Sequence, residues 1–162
     1  MNIIWRPSPN FEPRRTPYNQ SGPRCIVLHY TDMLSAEAAL ERLCDPVARV
    51  SAHYLIGMDG QVYQLVDEGQ RAWHAGLSEW LVEGTRETDM NSASIGIELD
   101  NPGHSHGYVP FPDVQIAALE NLCAGIMQRH GIAPENIIGH SDIAPGRKQD
   151  PGHLFPWEIF RN

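Results

Sequence analysis

The Asp59-Gly60 pair, set between the apolar runs His53-Tyr-Leu-Ile56 and Val62-Tyr-Gln-Leu-Val66, commits this chain to at least one antiparallel strand pair. Asp-Gly tolerates the left-handed backbone that a tight turn between twisted strands requires, so the stretch reads as a β-hairpin. Around it, strand-like and helix-like patterns alternate. Cys25-Ile-Val-Leu-His29 is a short unbroken apolar run of the kind buried on both faces of a central strand. Ala36, Ala39, Leu40 and Leu43 recur at helical spacing, with Thr31, Asp32 or Ser35 available as cap and Asp45-Pro46 as terminator. From Ser94 to Leu99 the pattern has period two: Ile95, Ile97 and Leu99 on one face, Ser94, Gly96 and Glu98 on the other. Pro112 opens a helix running to about Arg129, with Ile116, Leu119, Leu122, Cys123 and Ile126 as its apolar stripe and Gly131 placed to stop it. Asn136-Ile-Ile-Gly-His140 reads as a last short strand. A hairpin inside a strand–helix alternation predicts an α/β fold, a mixed central β-sheet flanked by helices.

The length of 162 residues suits a single domain over 1–162. Pro, Arg and Asn in 1–23 predict an extended, irregular N-terminal arm, and residues 75–93 read as a long polar loop at the rim of a site. Residues 101–111 form a second loop, and 141–162 are loop-rich. Twelve basic against twenty acidic residues give a net charge of −8, which repels nucleic acid and anionic membranes at long range and argues against both as partners. No apolar run is long enough to span a bilayer. Pro7, Pro9 and Pro13 interrupt the start of the chain where the apolar core of an export signal would lie, so the expected location is cytoplasmic. Cys25, Cys44 and Cys123 share no close spacing and are expected to be reduced packing residues. A monomer is expected.

Eight histidines are present, and their placement matters more than their number. His29 and His140 each end a predicted strand, where side chains of a mixed sheet project into a crevice. Asp150 follows ten residues after His140, behind prolines and glycines able to fold the loop back. Two imidazoles and a carboxylate make a three-ligand set for a zinc ion that keeps its fourth position for water. Spacing alone leaves a plainer reading open. A strand-end histidine is often a hydrogen-bonded structural residue, and an aspartate before proline often just starts a turn.

Five motifs then occur in order: His29-Tyr-Thr31, Ser51-Ala-His-Tyr54, Ala72-Trp-His-Ala-Gly76, Ser94-Ile-Gly-Ile-Glu98, and Gly-His-Ser-Asp-Ile-Ala-Pro-Gly-Arg-Lys-Gln-Asp-Pro-Gly over 139–152. Together they resemble the amidase-2 family of N-acetylmuramoyl-L-alanine amidases, of the AmpD and AmiD type, related to peptidoglycan recognition proteins. The resemblance covers roughly residues 25–157. It implies the peptidoglycan-recognition-protein/amidase-2 fold and one zinc ion held by His29, His140 and Asp150. It also implies Glu98 as the catalytic carboxylate and Lys148 as a cation beside the scissile carbonyl. The implied reaction is hydrolysis of the amide between (anhydro-)N-acetylmuramic acid and L-alanine in muropeptides or peptidoglycan fragments, as in cell-wall recycling.

Trp73, His74, Asn91, Asn101 and Arg147 are the expected substrate contacts. Core packing would equally account for Trp73, turn formation for the two asparagines, and an ordinary ion pair for Arg147. His53 is placed to orient a ligand from behind. Where some relatives carry a tyrosine near the metal, this chain has Ala52, with Tyr54 on the opposite strand face. Two other functions fit a similar scaffold: a peptidoglycan-binding module without catalysis, and a zinc peptidase acting within the stem peptide. The HExxH signature of common zinc proteases is absent.

Overall fold

The computed structural model describes residues 1–161. It begins with β1 (Ile3–Trp5), β2 (Phe11–Pro13) and a short α1 (Tyr18–Ser21), followed by β3 (Cys25–Tyr30) and α2 (Ala36–Leu43). The hairpin strands β4 (Tyr54–Ile56) and β5 (Val62–Gln64) come next, then β6 (Gln70–Ala72), β7 (Trp80–Val82), β8 (Thr85–Glu87) and α3 (Met90–Ala93). The remaining elements are β9 (Ser94–Leu99), α4 (Asp113–His130), β10 (Ile137–Gly139) and α5 (His140–Ile143).

Six strands form the central sheet in the order β1-β5-β4-β9-β3-β10. The β4–β5 hairpin is antiparallel, and every other neighbouring pair is parallel. This is the mixed sheet the sequence predicts. Every residue of β3 is buried, as its unbroken apolar run requires of a strand covered on both faces. On one face Ile26, Leu28, Ile95 and Ile97 pack against Leu119, Leu122 and Ile126 of α4. On the other, Cys25 and Val27 meet Met90, Ala93, Ile138 and Ile143. A third cluster seats α2 through Leu40 and Leu43 on Leu55 and Leu65. Ser35 proves to be the cap of α2, its side chain accepting the Ala38 N–H, and Gly131 ends α4 at φ 66°. All three cysteines are free thiols. Among the described residues, no helix is long and apolar enough to cross a membrane.

Two stretches are more regular than expected. The N-terminal arm is extended but not irregular. β1 pairs in parallel with β5, β2 pairs antiparallel with β6, and buried Arg14 donates to the carbonyls of Glu68, Ser92 and Ser94. Residues 75–93 contain the β7–β8 hairpin, turned through Glu83 and Gly84 at positive φ, and α3 capped by Asp89. Strands of three residues carry too few positions for a period to register, which is why the sequence hides them.

Glu68 ties the hairpin to the end of α4. Its carboxylate accepts from the Tyr54 hydroxyl, from Arg129 Nη2 at 2.6 Å and from His130 Nε2 at 2.8 Å. Burial alone would raise this carboxyl, but the bonds from Arg129, Tyr54 and His130 outweigh it and bring the pKa down to about 2. A carboxyl depressed in the folded state stabilises fully above its unfolded pKa of ~4.3, and that contribution fades as pH falls toward the folded value. Solvent screening of the half-exposed Arg129 partner discounts the full shift, so the contribution at neutral pH is at most about 3 kcal/mol. Glu68→Gln is therefore expected to lower denaturant stability at pH 7 by up to about that amount, and the gap from the parent should shrink by pH 3. A gap independent of pH would mean that the charge of Glu68 contributes nothing.

Candidate functional site

Parallel β3, β9 and β10 bring their carboxyl ends to the same end of the sheet. His29 lies one residue before the end of β3 and is in register with Glu98 of β9, while His140 follows β10 directly. Alternation places Ser94, Gly96 and Glu98 on the face away from α4, as the sequence predicts. Asp150 returns to His140 because the intervening loop closes on itself. Ser141 N–H donates to the Asp150 carbonyl at 3.0 Å, and the Arg147 and Lys148 N–H groups donate to the Ala144 carbonyl. Gly139 admits the ring of Pro151, whose Cδ would lie 2.9 Å from any Cβ placed there.

The three side chains converge. His29 Nδ1 lies 3.0 Å from His140 Nδ1 and 3.1 Å from Asp150 Oδ2, and His140 Nδ1 lies 3.2 Å from the same oxygen. These spacings approach the ~3.3 Å edge of a tetrahedron built on metal–ligand bonds of ~2.0–2.1 Å. His140 Nε2 is 2.9 Å from the Ala75 carbonyl, which can only accept, so that nitrogen carries the proton and Nδ1 faces the cluster as a lone pair. A bare imidazole nitrogen beside a carboxylate oxygen and a second imidazole nitrogen is a donor set that a divalent cation satisfies. Burial lowers His29 to about 4, with His140 adding to the effect and Asp150 opposing it. Burial would raise Asp150, but the adjoining imidazoles of His140 and His29 hold it below the usual carboxylate range. Neutral imidazole and ionised carboxylate are the forms metal binding requires.

Glu98 Oε2 sits 4.0 Å from His29 Nδ1 with its side chain 14% exposed. Burial pushes this carboxyl well above its ordinary value, Asp150 adds to the rise, and Lys148 opposes it. The cluster, Glu98 and Lys148 line one groove of about 330 Å³, with Trp73 and Arg147 on its walls. The Trp73 ring lies under the Arg49 guanidinium, 5.6 Å away. Arg147 spends Nε and Nη2 on the carbonyls of Ala75 and Leu77, so it braces the groove wall rather than leaving its full fork open.

Other expected contacts lie elsewhere. Asn91 Oδ1 accepts the N–H groups of His74 and Ala75, at 3.0 and 2.8 Å. Asn101 is fully buried, donating to the Val109 carbonyl and accepting from Gly103 N–H. Both asparagines are loop fasteners outside the groove. His74 touches the groove, but its ring nitrogens are engaged behind His29: Nδ1 is 2.9 Å from His29 Nε2, and Nε2 is 3.2 Å from Ser94 Oγ. His53 does not orient a ligand directly, since its Nδ1 accepts from Gly96 N–H and its Nε2 donates to the Gln70 carbonyl. The Tyr54 hydroxyl is bonded to Glu68. The role of His74 behind His29 had one signal in the sequence, Gly96, because a Cβ there would come within 2.4 Å of the His74 ring.

Sheet and crevice together define a class: an α/β domain presenting a donor set suited to a divalent cation at its strand ends. Residues 18–153 match the family of N-acetylmuramoyl-L-alanine amidases, Amidase_2, and the chain belongs to that family. It is 41% identical to the N-acetylmuramoyl-L-alanine amidase AmiD of Escherichia coli (strain K12), over 83% of this chain and 51% of that protein. It is 34% identical to the 1,6-anhydro-N-acetylmuramyl-L-alanine amidase AmpD of the same strain, over 96% of this chain and 88% of that one. Thus the chain spans about half the length of AmiD and most of AmpD. The fold superposes with a TM-score of 0.75 on E. coli AmiD solved with the substrate anhydro-N-acetylmuramic acid-L-Ala-D-gamma-Glu-L-Lys, at 40% identity, covering 86% of this chain and 56% of that one.

Proposed function

We propose that this domain hydrolyses the amide joining N-acetylmuramic acid, its anhydro form included, to L-alanine in peptidoglycan fragments, using one zinc ion held by His29, His140 and Asp150. The observation that carries the reading is the triangle of 3.0–3.2 Å among the donor atoms of those three residues, within a family whose relatives bear amidase names. Zinc in such a site supplies Lewis acidity, for activation of water and polarisation of a carbonyl.

The chain's own residues do the rest. Glu98 takes a proton from the attacking water at a carboxylate oxygen and returns it to the nitrogen of L-alanine as the C–N bond breaks. Lys148 holds positive charge where the carbonyl oxygen becomes negative. Trp73 and Arg147, on the groove walls, orient the fragment. The acyl carbon ends as the carboxylate of the muramic acid, and the stem peptide leaves with a free amine. The reading includes a role in cell-wall recycling, a monomer and a cytoplasmic location, tested by chromatography and fractionation.

Mass spectrometry of anhydro- and reducing muropeptides incubated with the protein, with and without chelator, tests the reaction. The expected products are a stem peptide beginning at L-alanine and peptide-free muramic acid, both lost with chelator. Cleavage inside the stem would make the domain a peptidase, and binding without new products would make it a recognition module.

A further inference from the structure

We propose that the stretch His74-Ala75 is the positioning element of the metal centre, with the His74 ring fixing the tautomer of His29 while the neighbouring carbonyl fixes that of His140. The inference rests on the metal reading of His29, His140 and Asp150. The chain of hydrogen bonds starts at a group that cannot change its role. The Met90 carbonyl only accepts, so the Ser94 hydroxyl donates its single proton there. Ser94 Oγ is then left to accept from His74 Nε2, 3.2 Å away, which puts the His74 proton on Nε2 and leaves Nδ1 bare. His74 Nδ1 lies 2.9 Å from His29 Nε2, so His29 carries its proton on Nε2 and turns an unprotonated Nδ1 toward His140 and Asp150. One residue later, the Ala75 carbonyl accepts from His140 Nε2 at 2.9 Å and imposes the same tautomer on the second imidazole.

The surroundings are built for this arrangement. Asn91 Oδ1 grips both backbone N–H groups, of His74 and of Ala75, and so sets the two outer partners with one side chain. The bare face of Gly96 receives the His74 ring, and Ser94 lies two residues before it on the same strand face. His74 is therefore a positioning residue that acts through His29.

Outer partners of metal-bound histidines typically contribute ~10–100-fold to metal affinity. Chelator competition is expected to find zinc affinity lowered about 10–100-fold in His74→Ala. His74→Asn, whose Oδ1 can accept in place of Nδ1, should recover most of that loss, and Ser94→Ala should lose less than His74→Ala. In zinc-loaded parent protein, long-range ¹H–¹⁵N spectra should show His74 and His29 protonated on Nε2 alone. A parent His74 protonated on Nδ1 overturns the inference without any variant. So does a His74→Ala protein that binds zinc as the parent does while His29→Ala does not. Parental zinc affinity in His29→Ala overturns the metal reading itself, and this inference with it.

Discussion

Replacing Glu98 with glutamine is expected to reduce amidase turnover at least ~100-fold while zinc stoichiometry stays that of the parent. The carboxyl is 4.0 Å from His29 Nδ1, outside the donor triangle, and has no hydrogen-bond partner among the described residues. It is therefore free to carry a proton and stands outside the three-residue set proposed to hold zinc. Burial, with Asp150 adding, pushes its pKa well above the ordinary value, in the direction a proton carrier working near neutral pH requires. Lys148 acts the other way, holding the carboxyl down. Lys148→Met should thus move the acid limb of kcat/KM to higher pH, because the carboxylate needed for the first proton transfer forms later as pH rises. The same burial predicts a stability change of opposite sign to the activity loss. A carboxyl whose folded pKa exceeds its unfolded value adds no penalty below ~4.3 and an increasing one as pH rises through the folded value. Metal-free Glu98→Gln should accordingly melt above the metal-free parent at pH 7, with the difference vanishing near pH 4. Near-parental turnover in Glu98→Gln would remove this residue from the chemistry.

What the sequence disclosed follows the physics of each signal. The β4–β5 hairpin and α4 were legible because Asp59-Gly60 and the stripe Ile116 to Ile126 are local patterns, and local patterns survive without tertiary information. The donor residues were legible for a different reason: His29 lies at the end of one apolar run and His140 directly after another, and strand ends of a parallel sheet meet at one crevice. The arm was misread as irregular because β1 and β2 exist only through their partners β5 and β6, some sixty residues distant in sequence. For Asn91 and Asn101 the sequence left two readings open, because an amide fastening a loop and an amide facing a ligand look identical until the neighbouring N–H groups are placed. His74 is the instructive case. Its side chain stands beside the groove, as expected, yet its nitrogens are turned inward to His29 and Ser94, an orientation that only the packing against Gly96 decides.

Zinc loading is expected to raise the melting temperature by on the order of 10 °C at a free metal concentration about a thousandfold above Kd, and Asp150→Ala to abolish both that rise and the amidase activity. A ligand bound only by the folded state at that excess adds about 4 kcal/mol, and each kcal/mol moves the midpoint of a domain near this size by roughly 2–4 °C. Asp150 is the member of the triangle whose loss cannot be repaired locally. It contacts both imidazoles through one oxygen, at 3.1 and 3.2 Å, and it is the one donor carrying negative charge. Without it the donor triangle offers a divalent cation only neutral nitrogens, so much of the cost of desolvating the cation is left uncompensated. Zinc affinity should fall further in this variant than the ~10–100-fold that outer partners contribute. Asp150→Asn separates charge from shape, since the amide occupies the same space yet supplies no negative charge, and it should behave like Asp150→Ala in both melting shift and turnover. Parental activity in Asp150→Asn after exhaustive chelation would mean that the three converging side chains form a structural knot, with the hydrolysis carried elsewhere in the groove.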